Sequence, residues 1–155
     1  MGGNSSYDPN IDGVPEDKRT HLEYPMRIDG HKILVLTSNV KHKAIPMNSN
    51  SEHPIYLIGK VDRQGNVVIE VLAEYTNHRI RTEVDIEVDV DGNLMPFNPN
   101  GGRGTHMHLW KEKEGWVMSR ESHDKNNAFE VDSKYNDLII KVIQFNNEKH
   151  KWKEK

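Results

Sequence analysis

The sequence contains no cysteine. That excludes disulfide scaffolds, Cys-ligated zinc and thiol nucleophiles. It also lacks long apolar runs, and none approaches the roughly 18–20 residues that a membrane helix requires. No basic stretch leading into a hydrophobic one opens it, as a secretory signal would, so the expectation is a cytoplasmic protein with no membrane partner. Aromatic residues make up only 7%, and mean hydropathy is −0.83. Any core must therefore come from a few concentrated apolar segments. An excess of positive charge is missing too: the formal net charge of −3 argues against a generic nucleic-acid coat.

What is present fits one domain, because 155 residues can bury a single core but not two. Residues 1–20 are rich in Gly, Asn, Ser, Asp and Pro and read as an extended or flexible arm. Residues 21–155 read as a single α+β domain. Leu22–Ile28 and His31–Thr37 flank Asp29-Gly30, a strong hairpin signal because both turn residues tolerate positive φ. Pro25 lacks an N–H, so the first strand is expected to lie at a sheet edge or to begin late. A polar connection, 38–53, leads to strands 54–61 and 67–75, with a turn over Asp62–Asn66. In the second of these strands Val67, Ile69, Val71, Ala73 and Tyr75 share one face. From Ile80 to Val90 the alternation is strict and predicts one buried and one wet face. After the glycine-rich loop 98–104, THMHLW and WVMSR read as two further strands. The last segment is helical from about 133 to 150. Asp132 or Ser133 can cap it, Tyr135, Leu138, Ile139, Val142, Ile143 and Phe145 form its apolar stripe, and Asp137 and Lys141 stand at i,i+4. The fold class predicted is an antiparallel β-sheet built from successive hairpins and packed by one C-terminal amphipathic helix.

Charge is segregated. Residues 62–91 carry eight acids against three arginines, whereas 141–155 carry five lysines against two glutamates. Glu83, Asp85, Glu87 and Asp89 share the polar face of the alternating strand. They predict an acidic sheet face suited to a basic protein partner, the reading of a non-catalytic binding module.

The candidate chemistry lies in the histidines. His106 and His108 are two apart on a strand and project to one face. Arg103 precedes them in the glycine loop, Trp110 follows, and His123 comes just after the next strand. A neutral and a cationic imidazole can serve as base and acid near neutral pH. Arg103 and the N–H groups around Gly102 and Gly104 could hold an anionic transition state, and Trp110 or Trp116 could stack on a base. This pattern suits metal-independent cleavage of RNA by a small toxin- or effector-like phosphodiesterase, with no cofactor. The alternative is a divalent metal at His106, His108 and His123, since His-x-His on a strand presents two imidazoles to one ion. His106-Met-His-Leu-Trp-Lys-Glu112 superficially resembles the first histidine motif of the cupins over seven residues, which implies metal binding. The surrounding glycines are spaced differently, and no second motif follows. Phosphate-binding, zinc-protease and nucleophile-elbow motifs are absent.

Overall fold

A computed structural model describes residues 19–37, 45, 46, 49, 54–100, 104–112, 118–120 and 128–152. The arm predicted over residues 1–20 falls outside them up to residue 18. Seven strands form one sheet in chain order: β1 (His21–Ile28), β2 (His31–Leu36), β3 (Ile55–Val61), β4 (Val67–Thr76), β5 (Arg79–Asp85), β6 (His106–Glu112) and β7 (Met118–Arg120). A 3₁₀ turn, Ser133–Tyr135, leads into helix α1 (Asn136–Glu148). The fold is α+β with a mostly antiparallel sheet and one C-terminal helix, as the sequence predicts.

Local chemistry accounts for several elements. Asp29 and Gly30 have φ of 52° and 80°, so β1 and β2 are joined by the tight turn that Asp-Gly favours. β1 is an edge strand, and its register slips between Glu23 and Arg27, around Pro25. Asn77 and His78, with φ of 52° and 68°, turn β4 into β5 without any glycine. Asp132 caps the helical segment by accepting from the Lys134 N–H (3.0 Å). Lys141, read as the i,i+4 partner of Asp137, reaches across the fold and contacts both Asp29 oxygens at 2.8 and 2.9 Å.

The structure corrects the hairpin series at one place. β2 and β3 are parallel, so the chain between them crosses from one end of the sheet to the other. It also corrects the faces. Glu70 is an extra residue on β4 between Ile69, opposite Gly59, and Val71, opposite Ile58. Arg81 is an extra residue on β5. Each bulge shifts the side-chain alternation by one. Val67 and Ile69 therefore join Leu72, Val84 and Ile86 beneath α1, where Leu138, Ile139, Val142 and Phe145 cover them. Val71, Ala73, Tyr75 and Ile80 face the other way, into a second buried cluster with Leu34, Tyr56 and Ile58. Both faces of the sheet are occupied.

The regular strand ends at Asp85 rather than Val90. Residues 86–97 then leave the sheet, and a bridge between Val88 and Leu94 closes their turn. No helix among the described residues is long and apolar enough to cross a membrane.

Candidate metal centre

β5 and β6 pair in antiparallel register, with Asp85 opposite His106, Val84 opposite Met107 and Glu83 opposite His108. Directly opposed residues share a face. Both acids therefore lie on the histidine face, and Val84 and Met107 lie on the helix face. The predicted solvent-facing acidic row is overturned by this pairing. Glu83 is 1% exposed and accepts from the Trp110 indole N–H (3.1 Å). Asp85 is half-buried against the two imidazoles. Glu87 and Asp89 lie beyond the strand's end, with Asp89 exposed and Glu87 half-buried. The bulge at Arg81 turns the acid-bearing face toward the second buried cluster, so the four carboxylates do not form one surface.

Three side chains converge at this end of the sheet. His106 Nε2 lies 3.1 Å from His108 Nε2. Asp85 Oδ2 lies 3.4 Å from the first and 3.5 Å from the second. The rings stand edge to face, 4.7 Å apart at an interplanar angle of 88°. His106 Nδ1 donates to the Gly104 carbonyl (2.7 Å). A carbonyl only accepts, so this contact puts the ring hydrogen on Nδ1 and leaves Nε2 with its lone pair in the neutral ring. The Asp85 carboxylate, hydrogen-bonded to His106, raises that imidazole's pKa. Burial opposes the shift, while the Gly104 carbonyl and the nearby charges of Asp85 and Glu87 add to it.

Gly104 is held by packing. It is buried with φ of +83°, and a Cβ there would stand 2.0 Å from the Pro96 carbonyl oxygen. Its carbonyl orients His106, a different role from the predicted anion-binding N–H. Trp110 packs against the second core cluster. Arg103, Gly102, Trp116 and His123 lie outside the described residues. The structure thus brings together His106 and His108, with Trp110 on the same face. It adds Asp85, which the charge pattern of the sequence alone places on a docking surface.

The three atoms fit a metal ion. Nε2, Nε2 and Oδ2 all lie within 4.8 Å of one another, and Asp85, His106 and His108 form the single such cluster of His, Asp and Glu among the described residues. An ion roughly 2.1 Å from each would stand about 0.8 Å out of their plane, with ligand–ion–ligand angles of about 95°, 108° and 113°. Those angles scatter around the tetrahedral value of about 109°, and no fourth His, Asp or Glu among the described residues joins the three.

No known protein family matches the chain, and neither the curated proteins nor the solved structures contain a match.

Proposed function

We propose that this protein binds one divalent transition-metal ion, best fitted by zinc, through Asp85, His106 and His108. The convergence of the three ligating atoms carries the reading. Two imidazoles and one carboxylate suit zinc or ferrous iron, whereas calcium and magnesium prefer all-oxygen sites. Among the described residues three side chains converge, and a water in the fourth position of a zinc ion would have its pKa lowered to about 7. Metal-independent RNA cleavage draws less support, because it needs base and acid on opposite sides of a phosphodiester. Here the two Nε2 atoms are only 3.1 Å apart, too close to flank a phosphodiester.

The test is calorimetric titration of zinc chloride into untagged protein stripped with EDTA. One site per chain is expected, lost in His108→Ala and in Asp85→Ala. At a hundredfold excess of free zinc over Kd, linkage adds about 2.7 kcal/mol of stability, which raises Tm by roughly 5–11 °C for a chain of this size. Absence of binding, or binding unchanged in Asp85→Ala, would contradict the proposal.

A further inference from the structure

The connection from β5 to β6 carries a second feature, independent of the metal reading. Residues 86–97 fold back beside α1 and leave a groove of about 330 Å³. Leu94, Phe97, Val131, Ile139 and Ile140 line it, with Glu130 also in its wall. In its wall Ile140 is 61% exposed and Leu94 41%, and Val88, Val90 and Met95 of the same connection are exposed as well. Soluble proteins seldom leave apolar side chains grouped in this way unless another surface covers them.

The groove is built before anything enters it. Asp89 Oδ1 accepts from the N–H groups of Asp91 and Asn93, both at 2.9 Å. The Asn147 amide of α1 donates to the Gly92 carbonyl. Thr105 Oγ1 donates to the Glu87 carbonyl and accepts from its N–H. The Thr105 N–H bonds the Met95 carbonyl. A wall pinned at both ends loses little freedom on binding.

Charge selects the occupant. The turn that the Asn147 amide ties to α1 carries Asp89 and Asp91 and no lysine or arginine, and Glu130 stands in the groove wall itself. On the helix side, Lys141 is engaged by Asp29. One acid in the wall and two on the adjoining turn of an apolar groove complement an amphipathic segment with basic flanks. We propose that this groove docks a basic amphipathic helix of a partner protein, with apolar side chains against Leu94 and Ile140 and lysines or arginines over the acidic turn.

The experiment uses a fluorescein-labelled peptide of leucine and lysine, with leucines at i, i+3, i+4 and i+7 over roughly four helical turns. A Leu/Glu peptide of the same pattern and a scrambled Leu/Lys peptide serve as controls. Anisotropy with the full-length protein should show the Leu/Lys peptide binding about ten-fold or more tighter than either control. Ile140→Glu, at an exposed position, should weaken binding by about ten-fold or more, as loss of a central apolar anchor does. Asp89→Asn combined with Asp91→Asn should weaken it less and flatten its salt dependence, while His108→Ala should leave it unchanged. Equal binding of the scrambled peptide, or of the Ile140→Glu protein, would overturn the proposal. Two other results would also overturn it by assigning the groove elsewhere. One is concentration-dependent dimerisation abolished by Ile140→Glu, which would make the occupant a second copy. The other is an effect of Ile140→Glu on the NMR resonances of residues 1–18, which would make it the chain's own segment.

Discussion

Asn146 offers a sharp test of how the helix is joined to the sheet. β5 covers β4 only from Val71 onward, so the backbone of Ile69 faces the space past the end of β5. Asn146 takes the place of the missing strand. Its Oδ1 accepts from the Ile69 N–H (2.8 Å), and its Nδ2 donates to the Ile69 carbonyl (3.0 Å). The next segment continues the substitution, with the His150 carbonyl accepting from the Val67 N–H (2.8 Å). Asn146→Ala leaves two backbone groups unpaired in a partly buried position. Each orphaned group costs about 1–3 kcal/mol, and partial access to water trims the sum to about 2–4 kcal/mol. For a chain of this length that lowers Tm by roughly 5–15 °C. Urea unfolding followed by circular dichroism measures the loss directly. Asn147→Ala is the control: it removes one exposed 3.3 Å contact to the Gly92 carbonyl and should fall near the roughly 0.5 kcal/mol typical of surface changes. If Asn146→Ala were equally mild, the clamp would not be what holds the helix in place.

Two further outcomes are expected. Ile139 is 3% exposed beneath the sheet, and Ile139→Asp buries a carboxylate with no partner, a change large enough to abolish folding; a soluble variant with a cooperative melt would refute the packing described. The Asp62 carboxylate is held below its usual range, first by the Asn66 N–H and then by the Gln64 N–H with Lys149 and Lys151 nearby. A depressed folded-state pKa means that its stabilising contribution is complete above the unfolded value near 4 and disappears as pH falls through the folded value. Asp62→Asn should therefore flatten the acid limb of a Tm-against-pH curve, and identical limbs in variant and parent would contradict this.

The parts of the fold legible in the sequence are those set by neighbours along the chain. Asp29-Gly30 marked a hairpin because its backbone preference is intrinsic. The stripe from Tyr135 to Phe145 marked the helix because its period is local, and Asp132 marked its start. What escaped depended on pairing between strands. One extra residue at Glu70 and one at Arg81 leave the sequence pattern uninterrupted, yet each exchanges the faces of everything beyond it. That is why a row read as wet became the wall of a second buried cluster. The parallel β2–β3 pair was hidden for a similar reason, since the polar sequence 38–53 carries no helical pattern that would announce a crossover. At the site, His-x-His identified two of the three converging side chains. Asp85 was visible only as one acid among several. Aligning Thr82–Asp85 antiparallel to His106–Leu109 would have put an acid opposite each imidazole, which was the available signal.

Asp85, His106 and His108 are proposed to hold one metal ion together. A crystal grown from zinc-loaded protein, with diffraction recorded on either side of the zinc absorption edge, tests it most directly. One strong anomalous peak per chain is expected, about 2.0–2.2 Å from Asp85 Oδ2, His106 Nε2 and His108 Nε2. A zinc-loaded crystal with no peak between these three side chains, or with an ion held by other residues while Asp85 stands apart, would contradict it.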